Sequence, residues 1–138
     1  MIKTVLKIAS ALLLGGCLTT SDNATTFQVK TIETTNNGIP FYAVVKSTEL
    51  SQFLGESYHK IATQTMLEDP ESSSLETLCF IPGSTQTFKV PNPDHKPLAI
   101  YFIFTHPGEE WKYLINEDNI TKVKILLGEN EIKSINKF

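Results

Sequence analysis

Cys79, three histidines and the adjacent pair Glu109-Glu110 are the side chains through which this chain could do nucleophilic, metal or acid–base chemistry. A catalytic thiol needs a neighbouring histidine and a depressed pKa. His59, His95 and His106 are dispersed, so a hydrolase using Cys79 with His59 or His106 would depend wholly on the fold to bring them together. Cys79 sits in the strand-like run Leu75–Ile81, where a cysteine reads as a small buried hydrophobe. A metal would need the histidines to converge, with Asp94 or Glu109 completing the set, and the spacing gives that no support. Glu109 and Glu110 suggest paired carboxylates, but helical neighbours point about 100° apart and share a proton poorly. They read instead as acids opposing the dipole at the start of a short helical turn, with Trp111 plugging the core. No phosphate-binding glycine loop, paired Cys-x-x-Cys or Gly-x-Ser-x-Gly elbow is present. The residues imply a non-enzyme without cofactor, metal or small-molecule substrate.

The other cysteine has a clearer setting. Lys3 and Lys7 precede an apolar stretch, residues 8–14, which ends in Leu14-Gly15-Gly16-Cys17. A charged start, a short apolar core and small residues form the layout of a secretory leader. With cysteine directly after two glycines, the run looks like a bacterial lipobox, whose thiol accepts a diacylglyceryl chain. The stretch is too short to cross about 30 Å of hydrocarbon, which takes about 20 residues. The organisation expected is a leader over 1–16, then lipidated Cys17 and a flexible tether over 17–26, and a domain over 27–138. If Cys17 carries lipid, Cys79 is left without a disulfide partner in the chain.

Cleavage before Cys17 leaves 122 residues, enough for one domain with its own core. It also leaves 10 basic residues against 15 acidic ones, a formal charge of −5, and every basic residue is a lysine. Without a basic face or an arginine fork, nucleic acid is excluded as a partner.

The elements that must position these residues are mostly strands. Phe27, Val29 and Thr31 alternate with polar residues, and Asn36-Asn37-Gly38 is a turn signal that makes residues 40–46 a hairpin partner of the first strand. Leu50, Phe53, Leu54, Tyr58 and Ile61 recur at helical spacing, capped by Ser47 or Thr48, with Gly55 dividing the helix into two pieces. An acidic, serine-rich loop follows at 68–74. Strands over 75–81 and 85–90 flank the Pro82-Gly83-Ser84 turn, and a proline-rich loop covers 91–97. Residues 98–104 are apolar on both faces, as a central strand requires. Residues 109–114 read as the helical turn, and two strands flanking Gly128 close the chain. About seven short strands and one helical insertion make a mainly β, two-sheet β-sandwich.

From Phe80 onward the order of features resembles the outer-membrane lipoproteins of type VI secretion systems, the TssJ (SciN) family. The features are Ile81-Pro82-Gly83, the apolar strand 98–104, Glu110-Trp111-Lys112 and the closing run from Val123 to Ile132. Upstream, Tyr42–Leu50 followed by Phe53 and Tyr58 is similar to the family's strand-then-helix segment. Lys112 stands where the family commonly has arginine, and the first loop, Thr34–Ile39, is shorter than in members that use it to contact TssM. A divergent lysine- and asparagine-rich member, such as the Francisella-type lipoprotein, fits equally. The resemblance implies a transthyretin-like sandwich with one or two short helices. It also implies anchoring in the outer membrane through lipid on Cys17, favoured by Leu18 rather than aspartate after it. The implied partner is a TssM-like inner-membrane protein, with Asn36, Asn37, Gly38, Asp94, His95 and Lys96 as contact positions or ordinary turn residues. A pilot or chaperone lipoprotein of another secretion machine or secretin is the alternative.

Overall fold

The computed structural model describes residues 23–67 and 74–138; the leader, Cys17, most of the tether and most of the 68–74 loop lie outside them. The strands are β1 (Ala24–Lys30), β2 (Phe41–Ser47), β3 (Ser74–Phe80), β4 (Thr85–Pro91), β5 (Leu98–Ile103), β6 (Lys112–Ile115), β7 (Lys122–Leu127) and β8 (Ile132–Lys137). Two helices, α1 (Leu50–Gly55) and α2 (Tyr58–Met66), stand between β2 and β3. One sheet has the order β4-β1-β7-β8 and the other β3-β2-β5-β6. The two-sheet sandwich with short inserted helices is as expected.

Alternation decides which side chains meet between the sheets. Phe27 and Val29 of β1, Phe41, Ala43 and Val45 of β2, and Val123, Ile125 and Leu127 of β7 are all buried in one core cluster. Phe80 lies in the same cluster, edge-on to Phe88 and Phe102. β5 is buried at all six positions. One face closes the sandwich; the opposite face, carrying Tyr101, lies under the helices. The molecule is therefore three layers thick at that point.

Four expectations are corrected. β1 and β2 do not form a hairpin: β1 pairs with β4 and, in parallel, with β7, whereas β2 pairs with β3 and β5. Asn36, Asn37 and Gly38 all have positive φ (50°, 55° and 75°), and this run carries the chain across the end of the sandwich from one sheet to the other. The tether also ends sooner than expected, because Ala24, Thr25 and Thr26 pair with Pro91, Val90 and Lys89. Residues 109–114 hold no helix; β6 pairs antiparallel with β5, making eight strands among the described residues rather than about seven. The exposed edge of an apolar strand wants a partner, and that long-range pairing overrides local helical spacing. Finally, Cys79 is exposed. With Phe80 fully buried, the period of two turns its neighbour to the outer face.

The helices also differ in detail. The segment breaks at Glu56-Ser57, and Ser57, not Ser47 or Thr48, provides the side-chain cap, accepting from Lys60 N at 3.2 Å. Only part of the apolar stripe packs: Ile61 is buried, whereas Leu50 and Leu54 are exposed.

Candidate functional site

The residues expected to contact a partner fall at opposite ends of the sandwich. Asn36, Asn37 and Gly38 lie at the distal end, with the 81–84, 104–111 and 128–131 connections. Asp94, His95 and Lys96 lie at the proximal end, where Asn23 leads into β1 and its carbonyl accepts from Asn92 N at 2.6 Å. No single surface holds both groups.

At the distal end Asn36 is buried rather than free to bind. Its N–H donates to Glu129 O at 2.6 Å, its Nδ2 donates to Ile39 O at 3.0 Å, and its Oδ1 accepts from Thr105 N at 2.8 Å. Thr35 Oγ1 adds a bond to Gly128 O at 2.9 Å. One asparagine thus fastens three loops together, and the left-handed backbone it adopts is one asparagine tolerates. Asn37 and Gly38 remain exposed. Asn36→Ala removes both side-chain bonds and strands the Thr105 N–H; a loss of about 1–3 kcal/mol is expected in urea unfolding.

At the proximal end Asn92 closes the proline loop, donating to Lys96 O at 2.7 Å and accepting from Lys96 N at 3.1 Å. His95 sits in the left-handed region at φ 49°. His95 and Lys96, but not Asp94, line a polar cleft of about 620 Å³ shared with Asn23–Thr25 and residues 115–121. His59, His95 and His106 are all exposed. His95 and His106 stand at opposite ends of the sandwich. Among the described residues no three histidine, cysteine or acidic side chains converge as a metal site would require.

Under the helices lies a buried polar cluster that sequence reasoning missed. Glu56, at the break between α1 and α2, and Lys46, on the outer face of β2, are 3% and 2% exposed. Lys46 Nζ stands 2.7 Å from Glu56 Oε2. The other carboxylate oxygen accepts from Tyr101 Oη at 3.1 Å and Thr48 Oγ1 at 3.3 Å. Burial first, then the Glu56 charge and hydrogen bond, push the Tyr101 phenol far above its ordinary range. Lys112 Nζ donates to Phe53 O at 2.5 Å and Glu56 O at 2.9 Å, closing the end of α1, and lies over the Phe53 and Trp111 rings. Burial lowers the Lys112 pKa, and Glu56 partly offsets that. Trp111 packs between Tyr58 and Tyr101, and the Tyr58 hydroxyl donates to Phe104 O. The only sequence signal was Lys46, a charge within an apolar strand. None of these groups lines the proximal cleft. The cluster fastens a helical layer to a sheet.

The same fold occurs in proteins of known assembly. Among solved structures, a chain of a type VI membrane complex superposes with a TM-score of 0.65 at 13% identity, covering 80% of this chain and 96% of that one. The type VI secretion lipoprotein TssJ1 from Pseudomonas aeruginosa gives 0.63 at 11% identity, with coverages of 84% and 96%. Lip from Serratia marcescens, a membrane-bound component of that system, gives 0.65 at 12% identity, with coverages of 84% and 98%. No curated protein matches the chain. Three layers, two four-stranded sheets and a helical pair over one of them make the sandwich fold that the chain shares with these proteins. The family model for the IglE N-terminal domain matches residues 42–127. The chain belongs to that family, the Francisella-type lipoprotein of the type VI secretion system.

Proposed function

We propose that the chain is an outer-membrane lipoprotein, lipidated on Cys17, that anchors the trans-envelope complex by holding the periplasmic domain of a TssM-like inner-membrane protein. The observation that carries this reading is the polarity of the sandwich. Asn23 leads in at the proximal end, and five residues separate it from Cys17, so that the six steps reach at most about 22 Å. Strand β1 then runs seven residues, about 23 Å, to the distal end. A lipid on Cys17 therefore keeps the proximal end near the bilayer and presents the distal loops to the periplasm. On this reading the protein does no chemistry and carries no cofactor beyond its lipid. The full lipidated chain in detergent, titrated with the periplasmic fragment of the TssM-like protein, is expected to give saturable heat in calorimetry. No binding would overturn the assignment of partner.

A further inference from the structure

The two ends of the sandwich differ in charge as well as in position. The distal loops, residues 31–40, 81–84, 104–111 and 128–131, carry Glu33, Glu109, Glu110, Glu129 and Glu131 and contain no lysine. All five glutamates are exposed, and His106 is the one other titratable side chain in these loops. The nearest lysines, Lys30 and Lys133, stand on the strands behind them, and Lys112 is turned under α1. The proximal loops mix signs, with Lys96 beside Asp94, Glu117 and Asp118. One end thus holds a third of the 15 acidic residues of a chain whose net charge is only −3.

Beside the acids the same end exposes aliphatic surface. Ile32, Ile39 and Ile81 are 38%, 54% and 63% exposed, and Tyr42, next to them on β2, is 48% exposed. They are held together. Gly83 N donates to Ile32 O at 3.1 Å, and Thr31 Oγ1 donates to Ile81 O at 3.2 Å. Asn36 joins this apolar half to the acidic half through Ile39 O and Glu129 O, and Gly108 N donates to Asn130 O at 2.8 Å. The platform is therefore fixed before anything binds it, which lowers the entropy lost on binding.

Like charges gathered at one end repel one another, and grouped exposed isoleucines cost hydration. Both are relieved by the same kind of occupant. An anionic lipid surface or a nucleic acid would be repelled by the five carboxylates. We propose that the distal end is a docking surface for a protein that presents an apolar knob flanked by lysine or arginine. The knob covers Ile32, Ile39 and Ile81, and the bases face Glu109, Glu129 and Glu131. The inference rests on the partner reading above and adds to it the surface and the charge of what that surface accepts.

The test uses the lipidated chain in detergent with the TssM-like periplasmic fragment. Raising salt from about 0.1 M to about 1 M shortens the screening length from about 10 Å to about 3 Å, so affinity is expected to fall about tenfold or more. Glu109→Lys with Glu131→Lys should weaken binding as much at low salt and flatten the salt dependence. Ile39→Asp with Ile81→Asp should weaken it at every salt concentration. Asp94→Lys with Asp118→Lys, at the proximal end, should change nothing. Unchanged thermal melting of each variant separates a lost contact from a lost fold. Wild-type binding that ignores the distal variants, or that is lost only with the proximal pair, overturns this inference and leaves the partner standing. A wild-type protein that does not bind the fragment overturns both.

Discussion

Glu56→Ala is expected to destabilise the domain by about 3–5 kcal/mol, a large share of the 5–15 kcal/mol that holds a typical domain folded. The carboxylate is 3% exposed and faces an equally buried ammonium, so its removal takes away the charge that Lys46 meets at 2.7 Å inside the protein. The Tyr101 and Thr48 hydroxyls lose their acceptor at the same time. Lys112 keeps its bonds to backbone carbonyls, so the end of α1 stays closed while its attachment to β2 and β5 weakens. The double change Lys46→Met with Glu56→Leu removes both charges and fills the space with apolar atoms, and it should recover most of the loss. Urea unfolding of the single and double variants decides the matter. A double variant as unstable as the single would mean that the ion pair is not what Glu56 contributes.

That cluster also marks the limit of what the sequence made legible. Strands were readable wherever one face alone is buried, because the period of two survives in β1 and β7. β5 was readable as a central strand because covering on both faces leaves no polar position at all. Pairing was not readable. Asn36-Asn37-Gly38 permits a hairpin, yet the same positive-φ residues serve equally to cross between sheets, and only β4 and β7 competing for β1 decides between them. β6 was missed because its partner lies across a loop rather than along the chain. Cys79 was misplaced because its neighbours are apolar, although Phe80 alone fixes which face it takes. Glu56 and Lys46 are ten residues apart in no recurring spacing, so nothing local connects them. The order of weak features from Ile81 to Ile132 nonetheless pointed to the right family, because order reflects topology where single motifs do not.

The largest functional effect expected is from Cys17→Ser, exported behind an ordinary secretory leader. Serine cannot take the diacylglyceryl thioether, and the change removes two acyl chains whose burial contributes about 0.8 kcal/mol per CH₂. Membrane association should therefore disappear in fractionation. Melting of the domain should be unchanged, because the first strand begins at Ala24, seven residues beyond the change. Secretion is nevertheless expected to fall to background. On the proposed function, a tether holds the distal face within reach of a partner spanning from the other membrane, at an effective concentration of about millimolar for a short linker. Released into the periplasm, the same folded face would bind the same partner without joining it to the outer membrane. The outcome separates the two things a lipoprotein can supply. If the soluble form restores secretion, the docking face is the function and the lipid is only an address. If it binds the partner and secretion still stops, the mechanical link between membranes is the function.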